Sequence, residues 1–290
     1  HIHDRRQRQM CIRDSSFGNQ WGWKRSGNIA DWSKLVIKQS NNKEIYCNQL
    51  SGNNLWKTSE AGNNITQLSE KDSEQKKSSF HISIFGNHKN TWHPPTLWIG
   101  LGCERNTSKE LIEDSLQSFL ASNNLSPLSI AGFASVDLKK DEKAFLEISK
   151  EKNLPIKFFT SVELSKINTP NPSNVVLNEI GTPSVAEAAC IMAAGEGSKL
   201  LKEKKIFKSI DSSKITFGAV TIAIAQSKNQ YSPLTGEIHV IGSGPGDISY
   251  LTNDARKALS KCSIWIGYKM YLDLIKPLKR KDQVLIESNL

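Results

Sequence analysis

Four stretches of this chain put reactive side chains where turns would hold them. The first is Ser135-Val136-Asp137-Leu138-Lys139-Lys140-Asp141-Glu142. A lysine beside carboxylates can bind an anionic group or serve acid–base work. The same run also reads as a solvated loop in which Asp141 caps the following helix. The second is Gly100-Leu101-Gly102-Cys103-Glu104-Arg105. Its glycines free the backbone, and Arg105 can clamp a carboxylate with both guanidinium nitrogens. Cys103 has no histidine near it in sequence and reads as a bystander thiol. The third is Gly181-Thr182-Pro183-Ser184-Val185-Ala186-Glu187. Ser184 and Glu187 have capping-box spacing, so Glu187 is either a cap or a catalytic carboxylate. A helix starting at Ser184 would also suit a substrate carboxylate. The fourth is Gly242-Ser243-Gly244-Pro245-Gly246-Asp247. Glycines there let a ligand approach the backbone, and a plain tight turn is the alternative. The spacing is not that of a dinucleotide loop, and no Gly-Lys-Ser/Thr follows to make a P-loop.

These residues need elements to hold them. Leu97 to Gly102 is a short apolar run ending in glycine, expected as a buried strand. Thr107 to Glu110 has capping-box spacing, and Leu111, Ile112, Leu116, Phe119 and Leu120 follow with helical spacing. A strand is expected over 130–134, a helix over 141–150 and a strand over 156–159. Strands alternating with helices point to βαβ units and a mainly parallel sheet. After the turn Pro170-Asn171-Pro172, a short helix is expected over 173–179. A small-residue helix follows over 185–194, with Gly195 as its cap. Residues 215–225 read as a strand buried on both faces, with Val220, Ile222 and Ile224 on one and Ala219, Thr221, Ala223 and Ala225 on the other. The fold class is therefore α/β, a mainly parallel sheet with flanking helices over 97–227. The runs at 100–105 and 135–142 fall at the carboxyl ends of its strands, where open α/β sheets bind ligands.

The flanks read differently. Residues 16–58 hold Trp21, Trp23, Trp32 and Trp56 among glycines and asparagines, a loop-rich module expected to lack a core of its own. Residues 59–96 read as a polar linker containing His81, His88 and His93 without ligand spacing, so no metal site is expected. Residues 228–235 are a second linker, and 236–290 open a strand–loop–helix that the chain does not complete. Residues 1–15 have no pattern and resemble translated adapter sequence.

Bulk composition narrows the classes. The net charge of +9 suits an anionic partner or reflects a chain-wide use of lysine and asparagine. No aromatic-interleaved RNA motif accompanies the spread-out charges, which argues against nucleic acid. No stretch approaches the ~20 apolar residues of a membrane span. Five scattered cysteines without Cys-x-x-Cys point to a reducing cytoplasm.

Taken in order, Leu97 to Arg105 with Thr107-Ser108, Ala134 to Glu142, Gly181 to Ala189 and Val220 to Ala225 resemble the C-terminal domain of the CbiG/CobE family of cobalamin biosynthesis. Gly22-Trp23, Asp31-Trp32 and Ser51-Gly52 with Leu55-Trp56 are similar to that family's middle region. The resemblance implies a cobalt-precorrin-5A hydrolase, which opens a δ-lactone on the macrocycle and releases acetaldehyde. Cobalt enters only as part of the corrinoid substrate. Such substrates carry many carboxylates, so Arg105, Lys139, Ser184, Gly100 and Gly102 become the substrate-binding candidates. Lactone hydrolysis needs a base for water, and Glu142, Asp137 and Glu187 are the candidates. From Gly236 on, Val240 to Asp247, Leu251-Thr252, Ala255 to Leu259 and Ile266-Gly267-Tyr268-Lys269 with Tyr271-Leu272 resemble the start of precorrin-3B C17-methyltransferase. That family uses S-adenosylmethionine, which would involve Gly242, Gly244, Pro245, Gly246 and Asp247. The chain thus reads as a fragment of a fused pathway enzyme. A non-catalytic module that carries a corrinoid intermediate is the alternative.

Overall fold

The computed structural model describes residues 17–58, 64–69, 78–173, 180–209, 216–231, 238–244 and 246–288. They form two compact units. The first takes the described residues up to Asn53 and from Asn64 through Tyr231. The second takes residues 54–58 and those from Ile238 onward. The terminal segment 1–15, residues 174–179 of the helix expected over 173–179, and Pro245 lie outside the described residues.

The first unit opens with β1 (Lys24–Ser26), helix α1 (Ile29–Ser40), β2 (Ile45–Gln49), β3 (Ile65–Gln67), β4 (Phe80–Ile82) and β5 (Thr91–His93). They make a five-stranded sheet in the order β1-β5-β4-β2-β3, parallel except for β1 against β5. This corrects two expectations. The tryptophan-rich segment does have buried apolar contacts: Trp23, Trp32, Ile45, Phe80, Ile82 and Trp92 are all buried. Trp32 and Trp92 stack edge to face at 5.4 Å. Described parts of the segment read as a linker supply β3, β4 and β5. Strands of three residues are too short to show a period of two, and aromatic rings do here the burying that aliphatic runs do elsewhere.

The second sheet contains β6 (Leu97–Cys103), β7 (Ile130–Val136), β8 (Ile156–Phe159), β9 (Lys199–Lys208) and β10 (Ala219–Gln226), in the order β8-β7-β6-β10-β9. β6, β7 and β8 are parallel, and β10 runs against both β6 and β9. Four strands therefore point one way and one points back. Helices α2 (Lys109–Ser122) and α3 (Lys143–Lys152) cover one face. Leu111, Ile112, Leu116, Phe119, Phe145 and Ile148 pack there against Leu97, Ile99, Leu101, Phe133, Val220, Ile222 and Ile224. The five-residue α4 (Ser161–Ser165) and α5 (Val185–Ala194) cover the other, where Ala186, Ala189 and Cys190 meet Trp98, Ala134, Ala223 and Ala225. The two-faced reading of β10 holds. The long edge strand β9 was not expected, because its lysines break any apolar run. Charged edges of this kind discourage pairing with other chains.

Helix caps also differ from the spacing rule. Ser108 and Ser184 occupy N-cap positions, but neither hydroxyl accepts an N–H of its own helix, so neither expected capping box forms. A full box forms at Thr160 and Glu163 instead.

In the second unit, α6 (Asn253–Lys261) and α7 (Lys269–Ile275) flank the parallel pair β11 (Ile264–Gly267) and β12 (Val284–Glu287). The strand expected before the glycine loop is not formed over 238–241. Ile238 and Val240 are 90% and 98% exposed. An apolar run becomes a strand of a parallel sheet when neighbours cover it on both sides.

Candidate functional site

The loops after β6 and β7 meet at the carboxyl end of the sheet. Arg105 Nη1 donates to Asp141 Oδ1 at 2.7 Å and Nη2 to the Leu138 carbonyl at 2.7 Å. The guanidinium holds the Asp141 carboxyl below the usual carboxylate range. Glu142 is only 4% exposed, and its Oε1 accepts the Asn106 N–H at 3.1 Å. Its Oε2 faces Arg105 Nη1 and Lys139 Nζ, each at 3.9 Å. A carboxylate so placed is compensated by two cations and a hydrogen bond, which is what lets it stay buried. Three of the sequence candidates, Arg105, Lys139 and Glu142, are thus brought together. Asp141, weighed as a helix cap, is the partner of Arg105, and Glu142 takes the N-cap position of α3.

Cys103 lies in the same neighbourhood. Burial pushes its thiol up to about 11, and the nearby Lys139 and Arg105 only partly offset this. It stays protonated at neutral pH, in keeping with a bystander thiol.

Asp137 begins the loop after β7, half-buried. Among the described residues its carboxylate meets no hydrogen-bond donor or cation. Of the three candidate carboxylates, it alone has both oxygens uncommitted.

Glu187 is 0% exposed and fully engaged. Oε1 accepts from Asn171 Nδ2 at 2.9 Å and from the Lys204 N–H at 3.0 Å, and Oε2 from Ser184 Oγ at 3.2 Å. It stands in the first turn of α5, where the helix dipole favours a negative charge. Ser184, expected to bind substrate, spends its hydroxyl on this carboxylate. Next to it, Thr182 is fully buried and its Oγ1 has no partner among the described residues.

The two glycines of β6 separate in role. A Cβ on Gly100 would sit 1.8 Å from the Ala186 carbonyl oxygen, so Gly100 lets α5 lie directly on the strand. It is buried under that helix and has no face for a substrate, which corrects the binding role expected for it. A Cβ on Gly102 would meet nothing closer than 3.8 Å, and Gly102 keeps partial exposure near the strand end.

In the second unit, Gly242 and Gly244 border a cavity of about 470 Å³ with Leu251, Trp265 and Tyr271. A Cβ on Gly242, Gly244 or Gly246 would meet nothing within 4 Å among the described residues, and Gly246 has φ 117°. Asp247 Oδ1 accepts the Ser249 N–H at 2.7 Å.

Sequence reasoning found the pieces of the Arg105–Glu142 cluster but missed Asn171 and Lys204, which hold Glu187. Asn171 between two prolines read as a turn, and a backbone N–H on an unseen strand leaves no signal in side-chain type.

Comparison with known proteins fits this architecture. Residues 97–225 match the family model described as cobalamin synthesis G C-terminus. The cobalt-precorrin-5A hydrolase of Priestia megaterium is 27% identical over 234 residues, covering 75% of this chain and 59% of that protein. Protein CobE of a Sinorhizobium species is 31% identical over 110 residues, 37% of this chain and 71% of that protein. The cobalt-factor III methyltransferase of Priestia megaterium is 38% identical over 52 residues, 18% of this chain and 10% of that protein. The chain spans about three fifths of its hydrolase relative. Through its central α/β domain the chain belongs to the CbiG/CobE family of cobalamin-synthesis proteins.

Proposed function

We propose that this chain takes part in cobalt-precorrin-5A hydrolysis, opening the lactone of a corrinoid polycarboxylate and releasing acetaldehyde. The observation that carries the reading is the meeting of Arg105, Lys139 and Glu142 at the carboxyl ends of β6 and β7. A base takes a proton from water as it attacks the lactone carbonyl carbon, the ring C–O bond breaks, and the released alkoxide takes up that proton. When this alcohol gives up its proton again and becomes a carbonyl, its C–C bond to the macrocycle breaks and acetaldehyde leaves. The electron pair and a proton go to the macrocycle. Opening the lactone also needs positive charge or N–H groups where the carbonyl oxygen becomes an oxyanion. Asp137 is the candidate base, because its lone pairs are uncommitted. Arg105 would exchange Asp141 for a substrate carboxylate, an exchange of like partners at an exposed guanidinium. Lys139, paired at 3.9 Å and not in hydrogen-bond contact, has donors left for a second anionic group.

A carrier role is the second reading, favoured by the commitment of Glu142 and Glu187 to internal donors. The experiment incubates the chain with cobalt-precorrin-5A and measures acetaldehyde and bound corrinoid. Acetaldehyde supports hydrolysis. Binding without acetaldehyde, lost in Arg105→Ala or Lys139→Ala, overturns hydrolysis and supports the carrier. A folded chain that does neither overturns both.

For residues 236–290 we infer the start of an S-adenosylmethionine-dependent tetrapyrrole methyltransferase, supported by the 52-residue similarity. The glycine loop fits that group in one respect: its open backbone borders a cavity of ligand size. S-adenosylmethionine would supply an electrophilic methyl group there. Gly242, Gly244 and Gly246 would give it close backbone approach, with Asp247 holding the Ser249 N–H beside them.

A further inference from the structure

We propose that Glu187 is a positioning residue, which fixes the start of α5 beside the substrate crevice by holding an irregular edge strand and a proline-flanked loop. The inference rests on the corrinoid reading above and goes beyond it by giving Glu187 a task other than catalysis.

The argument begins with β9. Lys205 lies opposite Ile222 and Lys202 opposite Ile224, so three steps on β9 match two on β10. That is a bulge, and a bulge leaves a backbone group outside the ladder. The Lys204 N–H, inside the bulge, goes to Glu187 Oε1 at 3.0 Å. Asn171 then ties the same region from the other side. Its Nδ2 donates to Glu187 Oε1 and to Glu203 Oε2, each at 2.9 Å, and its carbonyl accepts from Lys204 Nζ. The adjoining Ser173 N–H reaches the Pro183 carbonyl at 2.8 Å, which joins this loop to the turn before α5. One carboxylate therefore connects β9, the loop 170–173 and Ser184.

What it positions follows from the packing. Val185 stands 4.0 Å from where a Cβ of Gly102 would be, and the Ala186 carbonyl crosses Gly100. The first turn of α5 thus forms a wall over the end of β6, on the strand that leads into Arg105. A charge sealed at 0% exposure cannot meet a substrate or a water, so its effect must pass through what it holds. A shift of about 1 Å in such a wall weakens a well-fitted ligand appreciably, since positioning errors of that size cost up to ~100-fold in rate.

The test uses the full chain with Glu187→Gln, Asn171→Ala and the double variant. Glutamine keeps the shape but turns one acceptor into an NH₂ donor, which must face either the Ser184 hydroxyl or the Asn171 and Lys204 donors, so at least one of the three bonds is remade. The probe is cobyrinic acid, a corrinoid polycarboxylate, with Kd read from its visible absorbance and Tm measured alongside. The expected result is that each single variant raises Kd about tenfold and the double raises it no further, the signature of one shared network. Unchanged Kd with lowered Tm overturns the inference and leaves a purely stabilising residue. Unchanged Kd in both, with acetaldehyde release lost only in Glu187→Gln, also overturns it and makes Glu187 catalytic. If Glu187→Gln fails to fold, Asn171→Ala decides by the same Kd. An unaltered chain that binds no cobyrinic acid overturns the corrinoid reading, and the inference falls with it. Binding by that chain with equal affinity in the variants overturns the inference alone.

Discussion

At the scale of single residues, three positions carry tests that do not depend on substrate. Gly100→Ala would push a methyl to 1.8 Å from the Ala186 carbonyl oxygen, and backbone cannot rotate away as a side chain can. Overpacking of this kind costs about 1–3 kcal/mol or more, so urea unfolding should show a loss at the top of that range. An unchanged midpoint would mean that α5 does not lie on β6 as described. Thr182→Val removes a buried hydroxyl that has no partner among the described residues. Leaving such a group unpaired costs about 1–3 kcal/mol, so the variant should be more stable than its parent. A loss of stability would reveal a partner for that hydroxyl. Cys103 gives the pH test. Its folded pKa, about 11, lies above the ordinary value of 9.0. The unfolded chain therefore ionises first, and the thiol's contribution to stability, intact below 9, is lost as pH rises through 9 to 11. Alkylation of the Cys103 peptide, followed by mass spectrometry, should accelerate with a midpoint near 11. A midpoint near 8 or 9 would contradict its burial.

At the scale of elements, the lesson concerns which strands announce themselves. β6, β7, β8 and α5 were legible because their apolar runs are long enough to show a period and end in glycine or a cap. β9 was not, since an edge strand with five lysines has the composition of a loop. The first sheet was not, because three-residue strands closed by tryptophans look like scattered aromatics. The same sheet hides a pH-sensitive element. His93 is fully buried; the Ser83 carbonyl takes its Nδ1–H at 2.8 Å, which leaves Nε2 to accept from Ser26 Oγ at 2.8 Å. His81 stacks on His88 at 4.4 Å. Burial, foremost, holds the pKa values of His81 and His93 below 6.5, and the neighbouring His88 adds to this. A depressed histidine pKa stabilises the fold above 6.5, and that contribution is lost as pH falls through the folded pKa. Hydrogen exchange at pH 5.5 should therefore speed up in β1, β4 and β5 relative to β6 and β7, compared with pH 7.5 after correction for intrinsic rates. Equal protection at both pH values would contradict it.

At the scale of the whole molecule, the candidate site was half legible. Arg105, Lys139 and Glu142 could be gathered because they sit at strand ends, which topology turns into one place. Their commitments to each other could not be read, since a salt bridge between residues 105 and 142 leaves no mark on spacing. That is why three carboxylates looked equivalent in sequence, while the structure leaves only Asp137 uncommitted. In the proposed reaction the loops after β6 and β7 open a corrinoid lactone with Asp137 as base. It is tested most directly by acetaldehyde released from cobalt-precorrin-5A by the chain and by its Asp137→Asn variant. The account predicts release by the first and at least a 100-fold slower release by the second, in the range expected for loss of a general base. Equal rates from both would contradict it.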